Sequence, residues 1–182
     1  REDPAMTTSL DALNRLREGN RRFVSDTAIS QAALSPARRQ ALIDGQSPFA
    51  IILGCSDSRV PAELVFDQGL GDLFVIRVAG NVVAPSQVGS VEFAASRFGT
   101  PLVVVLGHSQ CGAVSATLEE IVRPSGHQSR NLHSIVQRIR PAVQPLIDTE
   151  LRHDQHALMH HAVRANVRAS ANQLRHGSEV LE

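Results

Sequence analysis

A chain of 182 residues suits one domain, and its 42% hydrophobic content is enough for a core. Charged residues make up 20%, which argues against disorder. The 18 basic residues, all Arg, balance 18 acidic ones, so the basic excess typical of nucleic-acid and membrane-surface binders is missing and neither partner is expected.

Residues 1–5 read as linker. Over residues 9–24, Leu10, Leu13, Leu16 and Phe23 form an apolar stripe at helical spacing. Ser35 and Pro36 then open a second short helix as N-cap and first-turn residue, with Gly45 just past its end. Residues 1–45 are thus expected to form a linker and helical arm, and 46–182 one structural unit.

That unit starts with the apolar run Phe49–Gly54. Two more follow, Leu73–Val78 and Leu102–Gly107. Continuous β-branched runs of this length suit strands buried on both faces, as in a parallel sheet. Helical patterns over 87–98 and 111–122 alternate with them, and 131–147 and 154–176 read as further helices. Residues 171–182 read as a helix that runs to the end of the chain. The fold class expected is α/β, a mostly parallel central sheet flanked by helices. No secretory leader and no apolar stretch of the ~20 residues a spanning helix needs is evident. A soluble, cytoplasmic unit without membrane contact is expected, either free or as the cytoplasmic domain of a larger chain.

The first and third runs both end in Gly and then in metal-type residues: Cys55-Ser-Asp57-Ser-Arg59, and His108-Ser-Gln-Cys111-Gly112. Loops at the carboxyl ends of parallel strands converge, so the two clusters can meet. Thiolate, imidazole and carboxylate are the usual zinc donors. A helix start after His108-x-x-Cys111 would also favour a thiolate. The ordinary alternatives are two small core cysteines or a disulfide. Asp57 and Arg59 form either a surface ion pair or a controlled carboxylate beside the metal. Four protein donors would close a tetrahedral site, whereas three leave a position for water.

Together with Arg77-Val-Ala-Gly-Asn81, these segments resemble the β-class carbonic anhydrases, from about Leu10 to the end of the chain. The resemblance implies a parallel-sheet α/β fold, a homodimer or larger homo-oligomer, and N-terminal helices reaching across to a partner. It implies one Zn2+ per chain on Cys55, His108 and Cys111. It implies an Asp57–Arg59 dyad, in which Asp57 joins the metal in a closed state of some members. Gln46 and Phe74 match residues lining the substrate pocket, and Gly112 one whose backbone lies beside it. Phe93 stands where several relatives carry Tyr. The absence of Trp and Tyr weighs against the bicarbonate-holding inhibitory pocket of some bacterial members. Relatives continue past 171–182 into an edge strand that is missing from this segment. The implied activity is zinc-dependent, reversible hydration of carbon dioxide to bicarbonate and a proton, by attack of zinc-bound hydroxide. Rival readings are hydrolysis of carbon disulfide or carbonyl sulfide, a non-catalytic zinc module, and a redox protein using the two cysteines.

His153, His156, His160 and His161 share one expected helix and read as a polar surface. Gly69, Gly71 and Gly80 read as turn residues without a dinucleotide fingerprint. Arg77 is expected to pair with a carboxylate, Asp72 or Glu92, or with a loop carbonyl.

Overall fold

A computed structural model describes residues 7–26, 35–124, 126 and 129–182. The expected linker at 1–5 and His127 lie outside the described residues. Helix α1, Ser9–Val24, begins in a capping box in which the Thr8 hydroxyl accepts from Asp11 N and Asp11 accepts from Thr8 N. Its buried face is Ala12, Leu16 and Gly19. Of the expected stripe only Leu16 is fully buried; Leu10 and Phe23 face outward. The reason is Gly19, which seats α1 directly on the backbone after α3, Ala62–Val65. Asn20 Nδ2 donates to Val65 O at 2.9 Å, and Arg22 pairs with Asp67. The arm thus docks on its own chain. A Cβ at position 19 would lie 1.7 Å from Phe66 O. Gly19→Ala is therefore expected to lower unfolding stability by about 2–3 kcal/mol, read from urea denaturation.

Helix α2, Pro36–Ala41, starts at Ser35 as expected but ends four residues before Gly45. Arg38 then ties it to Asp72 and to the Leu70 carbonyl, each at 3.0 Å. The sheet contains β1, Ala50–Gly54, β2, Leu73–Arg77, and β3, Val103–Leu106, all parallel in the order β2-β1-β3. All five residues of central β1 are buried, while β2 and β3 are edges and only partly so. Burial on both faces therefore holds for β1 alone. Side chains alternate across it. Ala50 and Ile52 pack on the α1 side; Ile51 and Leu53 pack towards α4, Pro85–Phe98.

Helices α5, Gly112–Val122, α6, Arg130–Ile147, and α7, Gln155–His176, enclose a third cluster with Cys55, Cys111, Ile139, Val143 and Met159. Pro141 and Pro145 sit inside α6 without ending it. The helical reading of 171–182 holds only to His176. Beyond Gly177 the chain turns, Ser178 donates to Glu92, and Leu181 packs on the α4-side cluster.

Candidate metal centre

All three strands deliver their carboxyl ends to one place. Gly54 opposes Arg77 and Leu106 in register, so Cys55, the Arg77–Asn81 segment and His108 leave the sheet side by side. Cys111 follows as N-cap of α5. The Cys55 and Cys111 sulfurs stand 4.0 Å apart. One donor atom each from Cys55, His108 and Cys111 lies within 4.8 Å of the others, the one such group among the described residues.

The imidazole is set for a metal. His108 Nδ1 lies 2.9 Å from the Ser109 carbonyl, a contact that needs the proton on Nδ1. That leaves Nε2 as the lone-pair donor, and it is buried without a partner. An orphaned buried nitrogen beside two sulfurs is costly unless something binds it. The two sulfurs lie within hydrogen-bond reach of one another. The hydrogen bond between them holds the Cys55 thiol far below its ordinary value, helped by backbone N–H groups of Asp57 and Gly80 against the opposing effect of burial. The same bond, with burial, pushes Cys111 up. The two sulfurs stand 4.0 Å apart, in the place where a soft cation would bind both. The donor set therefore fits zinc.

Asp57 lies beside this set, outside the close group. Arg59 holds it bidentately, Nε to Oδ1 at 2.8 Å and Nη2 to Oδ2 at 2.7 Å, and Arg59 N adds a third bond at 3.0 Å. These bonds hold the Asp57 carboxyl well below the usual carboxylate range. Its Oδ2 is 3.8 Å from His108 Nε2. Arg59 also reaches the Gln110 carbonyl at 3.2 Å, joining the two loops.

The profile of the carbonic anhydrase family matches residues 50–182. Carbonic anhydrase 2 of Mycobacterium tuberculosis is 44% identical over 140 residues, covering 75% of this chain and 65% of that protein. The chain belongs to the β-class carbonic anhydrase family. A carbonic anhydrase of Mycolicibacterium smegmatis is also 44% identical, over 131 residues, covering 70% of this chain and 61% of that one. The chain thus spans under two thirds of the length of these relatives. Among solved structures, the β-carbonic anhydrase CafA of Aspergillus fumigatus aligns at 26% identity and a TM-score of 0.67, over 90% of this chain and 76% of that one.

The other residues singled out in the sequence fall in different places. Gly112 is the first residue of α5, with open space where a Cβ would stand. Gln46 lies at the opposite end of β1, in a surface hollow with Arg39, Leu42 and Leu70. Phe74 sits three residues before Arg77 on β2, about 10 Å upstream. It packs with Phe93 and Phe98 at ring distances of 6.3 and 6.1 Å. Neither Gln46 nor Phe74 meets the cluster of its own chain. His156 and His160 are exposed on α7, along a groove of about 560 Å³ that also reaches His108.

Arg77 resolves in favour of loop carbonyls: Nε donates to Cys55 O at 2.9 Å and Nη2 to Asp57 O at 2.6 Å. Asp72 is taken by Arg15 and Arg38, and Glu92 by Ser178. Arg77 thereby clamps the loop that carries both Cys55 and Asp57. Sequence reasoning left a carboxylate and a loop carbonyl open as its partner, and did not say which loop it would hold. Its register opposite Gly54, next to the first cysteine, was the available signal.

Proposed function

We propose that the chain catalyses the reversible hydration of carbon dioxide to bicarbonate and a proton, with one zinc ion per chain held by Cys55, His108 and Cys111. The observation that carries this is the three-donor set with an unpartnered Nε2, beside a carboxylate that Arg59 keeps ionised and engaged. Zinc in a three-donor site acidifies water and supplies a hydroxide nucleophile near neutral pH. With the metal bound, Asp57 would be the group placed to accept a hydrogen bond from the nucleophile and orient it. Arg59 fixes the carboxylate and holds it off the donor set. Gly112 leaves its side of the site open to a small substrate.

Gln46 and Phe74 are too far from their own cluster to touch a substrate there. The pocket role implied for them therefore requires a second copy of the chain, in a homodimer or larger assembly. Phe93, 54% exposed against Phe74 and Phe98, supports an apolar contact on that side. Among the described residues no helix is long and apolar enough to cross a membrane. We place the enzyme in the cytoplasm, with residues 1–45 as an arm on the catalytic body formed by 46–182.

Zinc content and stopped-flow carbon dioxide hydration, from neutral to mildly alkaline pH, test the reading together. One zinc per chain with measurable hydration is expected. Absence of zinc overturns the metal centre. Bound zinc without hydration at any pH overturns the enzyme.

A further inference from the structure

Two buried polar residues of α7 take no part in the chemistry above. Asn166 and Ser170 are 2% and 4% exposed and lie one turn apart, in a buried stripe whose other members include Ala162 and Leu174. A buried amide or hydroxyl is tolerated where it is hydrogen-bonded. Both of these bond to the same short turn. Asn166 Nδ2 donates to Gly80 O at 2.8 Å, and Ser170 Oγ donates to Asn81 O at 2.9 Å.

The turn is unusual in itself. Gly80 and Asn81 follow one another with φ of 69° and 44°, the left-handed region that favours glycine. A Cβ on Gly80 would meet Ile139 Cδ1 at 2.7 Å and Ala113 Cβ at 3.0 Å, so the turn is wedged between α5 and α6. On its other side the Gly80 N–H donates to Cys55 Sγ at 3.3 Å. Helix α7 thus grips the carbonyls of a constrained turn while the amide of that turn reaches a metal-site sulfur.

We propose that Asn166 and Ser170 are positioning residues of the metal centre. By holding the 79–81 turn they fix the Gly80 N–H on the Cys55 sulfur, and so set both the place of that sulfur and the charge it can give to a metal. The proposal rests on the reading of Cys55, His108 and Cys111 as metal ligands. An N–H donor withdraws electron density from a thiolate. A sulfur that loses it becomes richer in charge and freer to move. Groups that orient ligands in this way typically change metal affinity by about 10- to 100-fold when removed.

The test compares the parent with Asn166→Ala, Ser170→Ala and Leu174→Ala, each stripped of metal and reloaded. Zinc affinity is read by chelator competition. Cobalt(II) loading gives the thiolate-to-metal charge-transfer band. Asn166→Ala is expected to weaken zinc binding roughly tenfold or more and to move the cobalt band to longer wavelength. Ser170→Ala moves both in the same direction by less. Leu174→Ala, which empties a buried position of the same helix without a bond to the turn, lowers the thermal midpoint and leaves both metal readouts in place. The proposal is overturned when Asn166→Ala and Ser170→Ala lower the midpoint as Leu174→Ala does and keep the parental affinity and band. Should Asn166→Ala fail to fold, Ser170→Ala decides alone by the same two readouts. A parent that binds neither metal sinks the ligand assignment itself, which is a separate result.

Discussion

Cys111→Ser is expected to remove stoichiometric zinc and to reduce carbon dioxide hydration to the uncatalysed rate. The residue is 2% exposed, and its sulfur stands 4.0 Å from that of Cys55. A serine hydroxyl fits the same space, so the packing around α5 survives. The hydroxyl, however, stays protonated at neutral pH and is a poor zinc donor, leaving one thiolate and one imidazole. Stability should follow the metal. Free zinc at 1,000 times its dissociation constant stabilises a folded site by about 4 kcal/mol, and this variant forfeits that gain. Metal analysis, thermal melts with and without added zinc, and stopped-flow hydration check the three parts. A variant that keeps zinc and rate would transfer the metal to other residues. The redox reading parts from this one in the parent protein. It requires a Cys55–Cys111 bridge that forms readily without metal and carries function, whereas a metal centre requires zinc to protect both thiols from alkylation.

The strands, the order of the helices and the cluster of Cys55, His108 and Cys111 were legible because each rests on a local signal. Apolar runs of strand length mark β1, β2 and β3, and Gly followed by Cys or His marks where two of them end. What stayed hidden depends on contacts between distant segments. The buried face of α1 is set by Gly19 against the Phe66 carbonyl, so of the apolar stripe Leu16 lies on it while Leu10 and Phe23 do not. Asn166 and Ser170 bond to a turn more than 80 positions away. Their only trace in the sequence is a pair of polar residues in a helical stripe that should be apolar. The partner of Arg77 stays open between a carboxylate and a loop carbonyl until the register sets it beside the Cys55 carbonyl. Gln46 and Phe74 follow from resemblance alone, and a single chain does not bring them to the cluster.

Asp57→Asn is expected to leave zinc in place and to lower the hydration rate by at least ~100-fold, the scale for losing a positioned proton acceptor. The structure separates the two effects because the Asp57 carboxylate belongs to Arg59, through three hydrogen bonds, rather than to the close donor set. Those bonds depress the folded-state carboxyl below its ordinary value. The sign follows. The ion pair is fully present above about pH 4, where an unfolded Asp is ionised. It is lost only as pH falls through the lower folded value. Asp57 therefore stays charged from neutral to alkaline pH, and a fall in activity over that range originates in another group. Arg59→Leu removes the clamp and frees a carboxylate 3.8 Å from His108 Nε2. It should slow hydration while zinc is held more tightly, because the released carboxylate can complete the tetrahedron. The double variant should then lose less than the product of the two single losses, since both act on one pair. Equal rates for Asp57→Asn and the parent at equal zinc content would remove the pair from the mechanism. A loss of zinc in Asp57→Asn would instead make Asp57 a ligand, and Arg59 the residue that competes with the metal for it.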